Sequence, residues 1–310
     1  MAPELALGYS SAAPLFGGVA AGWSLSLPEI RRDRARGLRD PESDALFVGT
    51  AWVSTLHGEE RLARFPEPEV PAGNHYRALL DSTFTRYQRV DAAHWLARTL
   101  DGMVYRFERL DPSPSPGDRF VLVSTQDRFG NTIRYQWQRG GPDDLPYHDL
   151  VGVEYTSNDQ VPLGPHARVT FVYDEPVSCG VATPVGAVIE PMASRRGYLR
   201  GARPLKTIRT EVRDTPTAAF RPVREVTLTY RGMECSGVTH SPMRQLATLQ
   251  EAARAPNGTW TSMPPTTFSY GPLDQLPIVR RSKNVTAGGP RDFGNTPDID
   301  ESRHSPGETR

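Results

Sequence analysis

Acid–base or metal chemistry needs carboxylates, histidines or cysteines brought together, and three stretches of this chain present such types at short spacing. Asp143, Asp144 and Asp149 fall beside Trp137 and Tyr147. Two carboxylates roughly 5 to 10 Å apart in a cleft would suit a glycosidase, and carboxylates beside aromatic faces would suit a sugar-contacting surface. The run Gly140-Gly141-Pro142-Asp143-Asp144 nevertheless reads as a loop of ordinary turn residues. His57, Glu59 and Glu60 are metal-ligating types, but no second ligand cluster follows at a workable spacing, so they read as an exposed turn. Cys179 and Cys235 are the two cysteines, too few for a disulfide scaffold or a four-cysteine zinc site. They read as buried or idle thiols. A single bridge stays open if the protein is exported, and a reactive nucleophile is least favoured, His240 being the only histidine nearby in sequence. No Ser nucleophile elbow, Gly-rich phosphate loop or His pair at ligand spacing occurs. The expectation is no catalytic residue, no cofactor and no metal.

The elements available to position any such group are hairpins. Phe120 to Thr125 and Thr132 to Trp137 are rich in branched and aromatic residues, which suit a pleated, half-buried surface. Between them lies Gln126-Asp127-Arg128-Phe129-Gly130-Asn131. Gly supplies the positive φ that a tight turn needs, and Asn is at home beside it. Trp95 to Leu100 leads likewise through Asp101-Gly102 into Met103 to Phe107, a strong hairpin signal. Asp101, Gly102, Asp127, Gly130 and Asn131 are therefore the expected structural turn residues. The two turns lie roughly 29 residues apart, a crude internal repeat. Leu5, Leu7 and Tyr9 alternate, as do Trp23, Leu25 and Leu27, predicting two strands in a hairpin or adjacent pair. Ala45–Val48, Ala51–Val53, Leu150–Tyr155, Ala167–Tyr173, Leu205–Val212, Val223–Tyr230 and Pro264–Tyr270 also read as strands. Arg244 to Glu251 fits a strand or a helix, and strand is favoured. Trp23, Trp95, Tyr105, Phe107, Tyr135, Trp137, Tyr155 and Tyr173 lie within these runs as sheet-packing residues.

Composition agrees with many strands and many turns. The chain has 310 residues, 29 Pro and 27 Gly without a period, and 37% apolar residues. Lys plus Arg and Asp plus Glu are both 36, which argues against a nucleic-acid partner. Arg31, Arg32, Arg34 and Arg36 read as a solvated charge run flanking a turn. No apolar stretch approaches ~20 residues, and no signal peptide is seen, so direct membrane insertion is not expected. The fold class expected is all-β, antiparallel hairpins and meanders forming a sandwich or part of a curved shell. Residues 1–275 would make the β region and 276–310 a polar, disordered tail.

The spread of these runs resembles the N-terminal region of the SpvB/TcaC family, the B-component proteins of bacterial insecticidal toxin complexes, related to Rhs/YD-repeat proteins. Pro3 to Ser11 with Gly22 to Arg32 is similar to the family's opening, and Trp95, Asp101-Gly102 and Tyr105-Arg106-Phe107 to its next hairpin. Asp127 to Tyr135 resembles the YD-like turn; Leu205 to Ile208 and Pro264 to Gly271 resemble the end of the region. The resemblance implies a non-catalytic piece of a large β-built shell that encloses a toxic segment and docks on a translocating pore. It implies other toxin-complex subunits or the rest of the Rhs-like shell as partners, with secretion as part of the complex, or a cytoplasmic stay before release. It also implies that the chain is a fragment or truncated product, since the family continues into a β-propeller and YD-repeat arrays. Asp292 to Asp298 faintly echoes that propeller's loops but reads as polar tail. Some relatives carry an ADP-ribosyltransferase, which uses an acidic pair separated by one residue. The pairs Glu42/Asp44, Glu67/Glu69 and Asp298/Asp300 have that spacing, but none follows a Ser-rich strand, so the activity is not expected.

Overall fold

The computed structural model describes residues 1–10, 18–32, 52–64, 74–110, 119–142, 145–161, 163–179, 184–185, 187–191, 197–233 and 244–270. Met1–Ser269 is one compact unit; of a second, Tyr270–Arg310, only Tyr270 is described. The expected tail over 276–310 and the strand expected at Ala45–Val48 therefore lie outside the described residues. Every regular element among the described residues is a strand.

Strands β1 (Leu7–Tyr9) and β2 (Trp23–Leu25) pair with each other antiparallel, as the alternation of their apolar residues requires. Eight further strands close on themselves. They are β3 (Glu29–Arg32), β4 (Trp52–Ser54), β5 (Glu60–Arg64), β6 (His75–Ala78), β7 (Arg86–Arg89), β8 (His94–Arg98), β9 (Val104–Glu108) and β10 (Arg119–Gln126). Each pairs antiparallel with the next. Strand β10 returns to β3 through Phe120↔Ile30, completing a barrel. A barrel this small has just enough interior for side chains. Ile30, Trp52, Leu62, Tyr76, Tyr87, Trp95, Phe107 and Phe120 fill it. The Trp95 ring lies 4.9 Å from Tyr76, 5.4 Å from Trp52 and 6.1 Å from Phe120, centre to centre. Trp95 and Ala97 point inward, Leu96 between them is half-buried, and His94 and Arg98 on either side are exposed, which is the period-two alternation of a half-buried strand.

The charge run beginning at Arg31 departs from expectation. Arg31 and Arg32 complete β3, and Arg32 is buried with its guanidinium 5.5 Å from the centre of the Trp52 ring. An arginine stem covers apolar surface and its planar head stacks on an aromatic face, so a charged residue here closes a barrel end. Arg34 and Arg36 lie outside the described residues.

Strand β10 serves two bodies. Its first residues pair with β3; opposite β9 the register shifts between Leu122 and Ser124; Ser124–Gln126 then pair with β11 (Asn131–Gly140). A bulge bends a strand and re-aims it, and here it turns the chain out of the barrel into an open sheet. That sheet continues through β12 (Tyr147–Asn158) and β13 (Ala167–Tyr173). A hairpin of β14 (Val188–Pro191) and β15 (Gly197–Arg200) attaches to β12 by a parallel contact, Tyr147↔Leu199. Strands β16 (Leu205–Val212), β17 (Arg221–Arg231) and β18 (Gln245–Arg254) extend the sheet beyond β13. Short β19 (Trp260–Ser262) and β20 (Thr266–Thr267) cover parts of the outer edge of β18. Its core gathers Ile133, Leu150, Val153, Phe171, Leu205 and Leu246, with Leu7, Trp23 and Leu25 of the β1–β2 pair packed on it. Among the described residues the fold is all-β, as expected, its antiparallel hairpins and meanders built as a closed barrel feeding an open sheet.

Three hairpins use one turn. Gly102, Gly130 and Gly258 have φ of +86°, +83° and +88°. Their N–H groups donate to the carbonyls of Thr99 (3.1 Å), Asp127 (3.1 Å) and Ala255 (2.9 Å). This is a type I turn closed by a glycine in the left-handed region. Asp127 organises its turn: Oδ1 accepts from the N–H groups of Phe129 and Asn131, each at 2.9 Å, and Oδ2 from Asn131 Nδ2 at 2.7 Å. Asp101 accepts from the Thr99 hydroxyl and from Met103 N–H. Cys179 is disulfide-bonded, which corrects the idle-thiol reading in favour of the single bridge. Cys235, the sequence's other cysteine, lies outside the described residues.

Candidate functional site

A cavity of about 920 Å³ lies between the β1–β2 pair, one end of the barrel and the open sheet. Two groups of charged side chains reach it. Glu29, from the start of β3, is the hub of the first. Its Oε2 accepts from Arg119 Nε at 2.8 Å, while Oε1 lies 3.3 Å from Arg200 Nη2 and 3.5 Å from Arg31 Nε. Burial alone would raise this carboxyl; Arg119 and Arg200 outweigh it and hold the pKa at about 2. Glu29 is thus fixed as an anion joining β3, β10 and β15.

Asp149, on β12 opposite Gln138, belongs to the second group. It is 7% exposed, and burial pushes its pKa up to about 6, with Arg203 and Arg244 offsetting only part of the effect. Its Oδ2 sits 3.5 Å from Arg203 Nη1 but accepts no hydrogen bond in the structure. Beside it the buried Tyr173 hydroxyl donates to Leu150 O at 2.9 Å, and burial pushes that phenol up. Arg244, just before β18, is 1% exposed. It donates from Nε to Val19 O at 2.8 Å, from Nη2 to Gly201 O at 2.9 Å and from Nη1 to Val185 O at 3.4 Å. One guanidinium therefore holds three separate segments of backbone.

Chemically, a general acid or base must have a pKa near the working pH and lie within hydrogen-bond reach of the proton it moves. Asp149 meets the first condition; Glu29, committed to its arginines, does not. Asp143 and Asp144, expected beside Asp149, lie outside the described residues, as do Glu42/Asp44, Glu67/Glu69, Asp298/Asp300 and His240. Trp137 does line the same cavity as Asp149, but its indole N–H donates to Leu122 O at 2.9 Å and ties the sheet to the barrel. Tyr147 packs instead against the cluster of Ala187, Leu199 and Ala202.

His57, Glu59 and Glu60 diverge. His57 Nε2 is 2.9 Å from Thr85 Oγ1, Glu59 accepts from Arg31 at 2.9 Å, and Glu60 accepts from the Tyr87 hydroxyl at 3.2 Å. Among the described residues, no group of three His, Cys, Asp or Glu side chains is placed to hold a metal ion. Nor is any helix long and apolar enough to cross a membrane. Sequence reasoning missed Arg119, Arg200, Arg203 and Arg244. Each is one arginine among many, and nothing in its local sequence sets it apart.

No family model matches the chain, and no curated protein matches it. Solved structures do. The Tc holotoxin pore of Photorhabdus luminescens aligns at TM-score 0.64 and 16% identity over 86% of this chain and 15% of the other. A TcdB2-TccC3 crystal structure aligns at TM-score 0.64 and 17% identity over 87% and 15%. The N-terminal domain of the effector SpvB from Salmonella typhimurium aligns at TM-score 0.60 and 18% identity over 82% of this chain and 95% of that domain. The chain thus spans about 15% of the length of the Tc chains it matches, and nearly all of the SpvB domain. At such identities a match speaks for fold, and the fold of this chain is that of an SpvB/TcaC-like region.

Proposed function

We propose that the chain is a non-catalytic structural and interaction module of a bacterial toxin-complex shell, working as one piece of a larger β-built assembly. The observation that carries this reading is that the alignment runs through both the closed barrel and the open sheet, over 82–87% of the chain. The charged groups in the cavity support it, since Glu29 is consumed in joining strands and Arg244 in clamping backbone. Other toxin-complex subunits, or the remainder of the shell, are the partners. The test is a binding measurement between the purified chain and toxin-complex subunits from the same genome, its sibling subunits. Stable association with one of them is expected, without turnover of glycosides or of nicotinamide dinucleotide. Failure to bind any sibling subunit, or measurable turnover, would overturn the reading.

A second reading rests on one observation, the meeting of Trp137 and the hydrogen-bond-deficient Asp149 in one cavity. Aromatic faces and carboxylates suit a sugar, so a glycan array is the discriminating assay. A hit lost in Asp149→Leu would favour a stand-alone glycan-binding domain.

A further inference from the structure

Four hairpin connections, two at one end of the barrel and two on the sheet that leaves it, form a continuous row. They are residues 79–85 between β6 and β7, 99–103 between β8 and β9, 127–130 between β10 and β11, and 159–161 with 163–166 between β12 and β13. Arg86 at the base of the first pairs with Arg98 at the base of the second. A Cβ on Gly102 would touch the Arg128 side chain at 3.2 Å, so the second turn abuts the third. Asp159 N–H donates to Gly130 O at 2.8 Å, so the third abuts the fourth. Hairpins stack at about 10 Å, so the row is roughly 30 Å long.

Its tips are apolar. Leu80 is 88% exposed, Leu100 77%, Phe129 60%, Phe84 59%, Val161 53% and Leu163 44%. Of thirteen exposed large apolar residues among the described residues, seven lie on these four turns, so this is a patch and not the scatter normal for a surface. Phe84 is held with φ at +54°, a backbone region that favours glycine, by Asp81 Oδ1 accepting its N–H at 2.7 Å. Strain that presents an aromatic ring to solvent fits a recognition role better than a packing one.

Each turn also carries an aspartate: Asp81, Asp101, Asp127 and Asp159 stand against one cation within the turns, Arg128. Arg134 neutralises Asp159 at 2.5 Å, so the turn tips stay acidic through Asp81, Asp101 and Asp127, with Arg86 and Arg98 exposed at the strand ends beneath them. We propose that this row is the docking surface for a neighbouring polypeptide of the shell, one that presents an apolar face bordered by lysines or arginines. The partner's class rests on the shell reading above; the surface and its chemistry rest on the turns. Apolar anchors with a charged border match the anatomy of a protein interface, and the acidic tips oppose adsorption to an anionic membrane.

The test places a photo-crosslinking benzophenone side chain at position 100 or 129 of the full chain, with position 263 as an exposed control away from the row. Irradiation with the sibling subunits should yield the same adduct from 100 and 129, and none from 263. The double variant Leu100→Ser, Phe129→Ser, exposed at both sites and so expected to fold, should bind the crosslinked subunit at least 10-fold more weakly. Raising the salt should weaken wild-type binding several-fold. Binding that survives the double variant, or ignores salt, overturns the docking surface but leaves the shell reading standing. Binding to no sibling subunit overturns both. Co-sedimentation of the wild type with phosphatidylcholine vesicles, lost in the same variant, would make the row a membrane contact and overturn the proposal.

Discussion

Arg244 offers the sharpest test of how the sheet is held to its neighbours. It is 1% exposed and donates to Val19 O, Gly201 O and Val185 O at 2.8, 2.9 and 3.4 Å. Hydrogen bonds from a charged donor contribute about 1.5–3 kcal/mol each. The two short bonds therefore account for about 3–6 kcal/mol, and the long one adds little. Burying the guanidinium opposes this, since desolvation of an ion costs several kcal/mol. In Arg244→Met the stem is retained and the ion removed, but buried carbonyls lose their donor. The expected loss is about 3–4 kcal/mol, or about 6–8 °C in Tm for a unit of this size. Arg244→Lys should not rescue: a point charge cannot reach three carbonyls fixed by a planar fork, and the ion stays buried. Urea unfolding of the three proteins side by side gives the comparison. If Arg244→Met lies within about 1 kcal/mol of wild type, or Arg244→Lys restores full stability, the clamp is incidental and the reasoning fails.

Other outcomes follow from named contacts. Glu29 is held at about 2 and Asp149 raised to about 6. The depressed Glu29 contributes stability that is present above its unfolded pKa of 4.5 and lost as pH falls toward 2. The raised Asp149 works oppositely: the native state binds the extra proton between its unfolded 3.8 and about 6, so stability declines as pH rises through that window. Tm measured against pH should therefore peak at about pH 4 and decline from there to about pH 6, and Asp149→Asn should flatten that decline; a wild-type profile rising steadily to pH 8 would contradict the Asp149 sign. Gly130→Ala should cost about 1–2 kcal/mol, because strain at positive φ adds to Cβ approaches of 2.6 Å to Gln160 and 2.9 Å to Asn158. Gly258→Ala meets only Arg254 Nη2 at 3.5 Å and should cost less; equal losses by calorimetry would refute the steric part. Trp95 is fully buried, yet its indole N–H has no hydrogen-bond partner in the structure. Trp95→Phe should then lose only packing, about 1–2 kcal/mol, against about 3–5 for Trp95→Ala, and similar values for the two would show the ring's shape to be immaterial.

Much of the strand series was legible because its physics is local. Asp101-Gly102 and Gly130-Asn131 announce turns through the backbone freedom of glycine, and Ala167 to Tyr173 announces a strand by alternation. The same turn at Ala255-Pro256-Asn257-Gly258-Thr259 went unread, because Trp260-Thr261-Ser262 after it is too short and polar to look like a strand. Strands β5 to β7 were hidden for a related reason. In Glu60-Arg61-Leu62-Ala63-Arg64 one large apolar residue, Leu62, faces the barrel interior, and five residues give a period-two signal nowhere to repeat. Barrel closure is non-local: Phe120 meets Ile30 across ninety positions of chain, and no window of sequence reports that. The cavity's charges were illegible likewise, since Glu29 acquires its character from Arg119 and Arg200, far away in sequence.

The strand shared by barrel and sheet has a mechanical consequence. Phe120 is hydrogen-bonded into one body and Gln126 into the other, with no linker between them. Tension applied to the sheet passes along covalent backbone into the barrel wall, so neither half can swivel without shearing rungs of its own ladder. Amide exchange at Ser124, Thr125 and Gln126 should therefore be as slow as at the barrel centre, and the molecule should behave under load as a rigid beam rather than as two beads on a string.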